Sequence, residues 1–373
     1  MKHDTDLQWF DLFRGVSAIV VLIGHLRALT FETITIGSTG LVSQFFYFIT
    51  GFGHEAVVIF FVLSGFFIIR SIYESVLNNR WSAKEYLFNR LARLWIVLIP
   101  ALLLTLVLDS IGLLTVPESL AYAGKIRFME GVSPIGKLGL VTFLGNVFFL
   151  QNIAVPTYGS NSALWSLANE FWYYMLFPLI YFAVVKYYRN TIRAFLAIVA
   201  TGAAIFLDKG ILLYFFIWLA GGILYLLVQK KNTIFPAKWA ALIFGLAFVV
   251  ILVFIRKGIN PIFFNDFSLA VSTTLLLAPL ARVPLRQRFV QKVAKFLSDI
   301  SYSVYVTHLS LVVLLSSLLF QVRLTWSYQN LFYYMVIMVM VLIYCWVVYF
   351  LFERNTPSIK KYLKLFGKRT IHA

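Results

Sequence analysis

The sequence predicts an all-α fold, a polytopic membrane helix bundle of about ten transmembrane helices with both termini cytoplasmic. Three observations predict it. First, 61% of the 373 residues are hydrophobic, 18% aromatic and only 13% charged, against about 45–50% apolar and about 25% charged in ordinary soluble domains. A soluble globule of this length could not bury so much apolar surface in one core. Second, the apolar residues come in runs of membrane length, for which roughly 20 residues are needed per helix. Third, Lys and Arg are spread unevenly between alternate loops. Together these exclude a soluble enzyme, a disordered chain and a fibrous repeat. The net charge of +17 does not imply nucleic acid, because no soluble segment presents a basic face. It reads as the basic cytoplasmic side of a membrane protein.

The elements follow in order. The first apolar stretch is preceded by Asp4 and Asp6 and carries Asp11 and Arg14. No small-residue cleavage site follows it, so it reads as a retained span rather than a signal. Spans are expected near 9–29, 53–72, 92–114, 164–185, 192–208, 211–229, 236–255, 265–281, 297–320 and 330–352. Pro, Gly and charge clusters punctuate them. The segment 138–149 is apolar but short, and reads as a re-entrant or interfacial piece of the long outside segment 115–163. Residues 354–373 form a basic tail. The whole, 1–373, reads as one membrane domain without internal repeats. With the N-terminus inside, 24 of the 32 Lys and Arg fall on the cytoplasmic side, Lys2 and Lys231 among them, and 8 outside, Arg127 among them. That bias supports an even number of spans. The single cysteine, Cys345, leaves neither an intramolecular disulfide nor a Cys-based metal cluster.

Ionisable residues inside spans are costly and mark function. The first span holds Asp11, Arg14 and His25. Eleven residues at about 100° each bring Arg14 and His25 onto one stripe, about 16 Å apart along the axis. A cation at the cytoplasmic mouth and a titratable base deeper in suit a channel that admits an anionic donor and reacts at its far end. The blander readings are an interfacial histidine and a topology-setting arginine. In the second span, Ser64-Gly65 permits close packing or a local break. Arg90 and Arg93 close the next inside loop at a spacing that shares a helical face, and arginine forks hold phosphates well. Otherwise they are one more positive-inside cluster. In the fourth span, Trp165 belongs to the aromatic belt, whereas Glu170, beside Asn169, lies about two turns in and needs a partner or a task. In the ninth, Ser301, Tyr305 and His308 share a face, next to Tyr302. No metal-ligand spacing occurs, so no metal is expected.

These residues resemble the acyltransferase 3 family of integral-membrane acyltransferases over nearly the whole chain, from about Trp9 to about Pro357. Asp11, Arg14, Gly15 and His25 fit the family's first-span pattern. Phe60 to Phe66 fit its Phe-Phe-x-Leu-Ser-Gly-Phe run, Arg90 and Arg93 its Arg-x-x-Arg pair, Trp165 to Glu170 its Trp-Ser-Leu-x-x-Glu motif, and Ser301 to His308 its Ser-Tyr-x-x-Tyr-x-x-His motif. Leu12, Ala56 and Val58 depart from the usual Gly, Gly and Asp. The resemblance implies transfer of an acyl group, often acetyl, from cytoplasmic acyl-CoA to a hydroxyl of a surface or lipid-linked carbohydrate, such as O-antigen or exopolysaccharide, in the bacterial cytoplasmic (inner) membrane. It implies acetyl-CoA as co-substrate and no permanently bound cofactor. In a chain that stops at Ala373, it implies direct transfer by the membrane domain.

On this basis His25 is the expected general base and Glu170 its orienting carboxylate, with Arg14, Arg90 and Arg93 on the CoA phosphates. Tyr302, Asn169 or Asn152 would stabilise an oxyanion. Asp11, Ser64, Trp165, Ser301 and His308 would play supporting parts. The competing class is a proton-coupled multispan transporter, which also uses intramembrane Asp, Glu and His, but lacks support from any inverted repeat or paired broken helices. The acceptor, the acyl chain length and the oligomeric state are not written in the sequence.

Overall fold

A hydrophobic chain in lipid has to satisfy its backbone polar groups internally, and helices do so within each segment. The computed structural model describes residues 7–33, 40–126, 132–230, 235–258, 261–320 and 322–369. Among them no strand forms and the elements are helices. They are α1 (Gln8–Thr30), α2 (Leu41–Ile49), α3 (Gly53–Leu77), α4 (Ala83–Thr115), α5 (Leu140–Val147), α6 (Trp165–Val184), α7 (Asn190–Phe206), α8 (Lys209–Gln229), α9 (Ala237–Arg256), α10 (Ile262–Leu280), α11 (Arg288–Leu319), α12 (Tyr328–Leu351) and α13 (Thr356–Arg369). Lys2, Arg127 and Lys231, like residues 370–373 of the basic tail, lie outside the described residues.

Each of the ten expected spans coincides with one helix. Among the described residues, eight helical segments are long and apolar enough to cross a membrane. The two expected spans outside that set are α7, with 17 residues, and α6, whose first turns carry Ser166, Asn169 and Glu170. The chain is an integral, multi-pass, all-α membrane protein.

Several boundaries differ from the sequence reading for local reasons. Helix α4 begins nine residues before the expected 92, because Ser82 accepts the Glu85 N–H at 3.3 Å and caps it there. Arg90 and Arg93 therefore sit on a helix rather than closing a loop. Helix α11 likewise starts at Arg288, with basic polar turns ahead of its apolar body. The short apolar segment near 138–149 forms α5, eight residues long and far below spanning length. Helices α2 and α13 are additions that the span pattern does not announce.

The chain divides into two compact units. The first comprises Met1–Ser17, Phe52–Trp81 and Ser166–Asp299. Its helices α3, α8, α9 and α10 pack on one another. Helices α3 and α8 approach through Gly65 and Gly221: a Cβ on Gly65 would run into the Trp218 carbonyl, and one on Gly221 into the Val62 and Phe66 backbone. Small residues allow such close backbone contact in lipid, where no hydrophobic force drives helices together. Gly15 plays the same part against Leu297 and Ser298 of α11.

The second unit comprises Ala18–Gly51, Ser82–Trp165 and Ile300–Ala373. Here the segment after α5 folds back into the unit. Asp109 of α4 is fully buried and accepts the Ser160 N–H at 2.7 Å. Asn161 donates to the Val306 carbonyl of α11 at 2.8 Å, and Thr105 and Ser310 hydroxyls meet at 2.8 Å. Buried irregular backbone is tolerated where protein groups pair with it. Burial pulls the Lys137 ammonium, just ahead of α5, below the usual lysine range, against the pull of Asp109.

Candidate active site: a histidine pair and two polar clusters

In the second unit, α1 carries His25 and α11 carries His308. His308 is fully buried and His25 half-buried. Their rings lie parallel within 7°, with centroids 5.1 Å apart, and His25 Nδ1 is 2.8 Å from His308 Nε2. The hydrogen-bond pattern assigns the tautomers. His308 Nδ1 lies 2.7 Å from the Val304 carbonyl and 3.0 Å from the Tyr305 carbonyl. Carbonyls only accept, so Nδ1 carries the proton and the neutral ring presents a lone pair at Nε2. His25 must then donate from Nδ1, which leaves its own Nε2 as a lone pair. That nitrogen has no hydrogen-bond partner among the described residues. The His308 imidazole thus fixes the orientation of the His25 ring and leaves a lone pair on His25 Nε2.

Two tyrosines of α11 are engaged by backbone carbonyls. Tyr302 donates its hydroxyl to the Leu94 carbonyl at 2.9 Å, Tyr305 to the Ala163 carbonyl at 3.2 Å, and Ser301 is buried. Asn152 sits in a tight turn with φ of 63°. Trp165 opens α6 in this unit, and Arg90 and Arg93 lie on the first turns of α4.

In the first unit, Arg14 and Asp11 of α1 meet Ser298 of α11. The Arg14 guanidinium donates to the Ser298 carbonyl at 3.2 Å and to its hydroxyl. The Ser298 hydroxyl donates to Asp11 at 2.6 Å, and Asp11 and Arg14 are 3.7 Å apart. This clamp holds Arg14 at the edge of a cavity of about 490 Å³, lined by Gln8, Asp11, Arg14, Phe67, Gln291 and Lys295. Arg14 and Lys295 give the cavity two cations. Asp11 and Asp299 offset them, Asp299 pairing with Lys295 at 2.6 Å. Ser298 and Lys295 were not singled out as binding residues by the sequence, which offers only their proximity to the Ser-Tyr motif.

Also in the first unit, Glu170 of α6 accepts from Ser64 of α3 at 2.8 Å and from the Tyr174 hydroxyl. Ser64 in turn accepts from Trp218 Nε1 of α8 at 3.2 Å, and Asn169 is buried beside it. One carboxylate therefore ties three helices together. Glu170 makes these hydrogen bonds to Ser64 and Tyr174, and the imidazole that pairs with His25 is His308. Glu170→Ala, which removes the shared acceptor, is expected to lower stability in detergent by about 1–3 kcal/mol. Glu170→Gln should lose less, because an amide oxygen still accepts. Activity per folded molecule should fall far less than in a His25 variant. An inactive Glu170→Gln protein with unchanged melting would instead place this carboxylate in the chemistry.

The family model described as an acyltransferase domain, acyltransferase 3, matches residues 7–350. No curated protein and no solved structure matches the chain. The matched residues span both units and hold every polar cluster described above. They decide between acyl transfer and transport as classes. The chain belongs to the acyltransferase 3 family and is a membrane acyltransferase.

Proposed function

We propose that the protein is an O-acetyltransferase that moves an acetyl group from cytoplasmic acetyl-CoA to a hydroxyl of a lipid-linked or cell-surface carbohydrate, O-antigen or exopolysaccharide in kind. It works in a bacterial cytoplasmic membrane with both termini inside, and uses acetyl-CoA as co-substrate with no resident cofactor or metal. The observation that carries this reading is the His25–His308 pair with its unpartnered His25 Nε2.

The chemistry follows from that lone pair. His25 Nε2 takes the proton of the acceptor hydroxyl as the oxygen attacks the thioester carbonyl. The resulting imidazolium keeps donating from Nδ1 to His308 Nε2, so ring orientation is preserved while charge develops. The tetrahedral intermediate collapses with cleavage of the carbon–sulfur bond. The proton on His25 goes to the departing thiolate, which leaves as CoA–SH and returns the base to its starting state. Arg14 and Lys295 at one cavity, and Arg90 and Arg93 on α4, supply the cations that CoA phosphates require.

The test uses the purified full-length protein in nanodiscs with labelled acetyl-CoA. Release of CoA should depend on a lipid-linked glycan extract, and label should appear in the glycan as a base-labile ester. Label on the protein without acceptor would mark a covalent acyl-histidine route. No acyl-CoA binding or turnover by folded protein would overturn the reading.

A further inference from the structure

The geometry points to a phosphate-binding cluster built jointly by α4 and the tail helix α13, in which Lys360 and Lys364 join Arg90 and Arg93 to hold the nucleotide phosphates of the acyl-CoA donor. It rests on the donor reading proposed above and adds residues beyond the stretch that the family model matches, which ends at 350.

The two helices run in opposite directions where they meet. Lys360 donates to the Asn89 carbonyl at 3.1 Å, and Lys364 pairs with Glu85 at 2.9 Å. Residues spaced by four on α13 thus face residues spaced by four on α4, one helical turn at each end. This docking brings the Lys360 ammonium within electrostatic reach of three like charges, Arg90, Arg93 and Lys364. The carboxylate paired within the cluster is Glu85, which is exposed and already engaged by Lys364. Four cations against one carboxylate repel one another unless an anion joins them.

Arg90 adds an independent sign. Its guanidinium lies 5.7 Å from the Tyr86 ring centroid, and its Nε is buried with no hydrogen-bond partner. A buried guanidinium N–H without an acceptor is costly, and a phosphate oxygen is the acceptor that this fork suits. Arg93, exposed, and Lys360, half-buried, flank it on the two helices. An ordinary positive-inside cluster needs charge in the loops, but it does not need an ordered helix to carry two lysines back against an arginine pair. Anionic lipid headgroups offer the same phosphate chemistry, so the assay has to separate the two sources.

The experiment measures CoA binding by calorimetry to the full-length protein in nanodiscs of neutral lipid, then of lipid containing anionic headgroups. Lys360→Gln and Lys364→Gln should each weaken CoA binding in neutral lipid by about three- to tenfold, with a shallower salt dependence. Glu85→Gln supplies the discriminating sign. It removes a competing carboxylate, so CoA should bind more tightly. Were the lysines merely docking α13, Glu85→Gln would weaken binding as Lys364→Gln does. Unchanged CoA affinity in the double lysine variant, beside a wild type that binds, overturns this inference alone. So does an effect that appears only with anionic lipid, which assigns the cluster to headgroups. A wild type that binds no CoA in either lipid overturns the donor reading itself, and this inference with it.

Discussion

His25→Ala is expected to lower acceptor-dependent CoA release by about 10²–10⁴-fold, the usual contribution of a positioned general base. CoA binding measured by calorimetry should be unchanged, because the proposed donor site places the phosphates on Arg and Lys side chains rather than on His25. The magnitude follows from the tautomers. His308 Nδ1 faces two carbonyls, so His25 has one arrangement that satisfies the pair, and in it Nε2 is a free base. His25→Gln separates shape from basicity. Its amide N–H can still donate toward His308, yet it cannot take a proton, so it should be as inactive as the alanine variant. Retention of more than about a tenth of wild-type kcat in His25→Gln would be incompatible with a contribution of that size. The protein should stay monodisperse in detergent in both variants, since His25 is half-buried and its loss opens little of the core.

How far such a site can be read from sequence depends on whether the signal is periodic. The spans were legible because lipid imposes length and apolarity on every one of them, and each expected span coincides with one helix. Arg14 and His25 were legible as residues of one helix stripe because an eleven-residue spacing has a fixed angular meaning. Partners on other helices have no such code. Nothing in the local sequence pairs Asp11 and Arg14 with Ser298, some 280 positions away. The sequence could name Glu170 as a buried carboxylate that needs a partner, but Ser64, Tyr174 and Trp218 gather around it only when α3, α6 and α8 pack. The placement of Arg90 and Arg93 was misread for a different reason. Hydropathy marks where a helix becomes apolar, whereas capping marks where it begins, and Ser82 starts α4 well before its apolar body. The tail was legible only as basic, and nothing in its sequence announces that its lysines at four-residue spacing match α4 turn for turn.

His308→Phe should cost about 10- to 100-fold in kcat, comparable to losing a group that orients a reactive histidine, while KM for acetyl-CoA and for the acceptor stays close to wild type. The reasoning turns on what phenylalanine keeps and what it removes. It preserves a flat ring beside the parallel His25 ring, one ring atom larger than the imidazole, so the stacking partner is kept. It removes the Nε2 acceptor at 2.8 Å, and with it the reason for His25 to hold its proton on Nδ1. The imidazole can then rotate or adopt the other tautomer, which places a proton where the reacting lone pair should be. If His25 becomes an imidazolium during the reaction, as proposed, its Nδ1–H also lacks the His308 acceptor, and that raises the barrier rather than the ground state. His308→Gln, which restores an amide oxygen able to accept, should recover part of the loss. A structural role for His308 would give a different pattern: lower melting temperature with kcat per folded molecule intact, and no ordering of Gln above Phe. The kcat-against-KM split and that ordering together decide whether the second histidine is an orienter or a piece of packing.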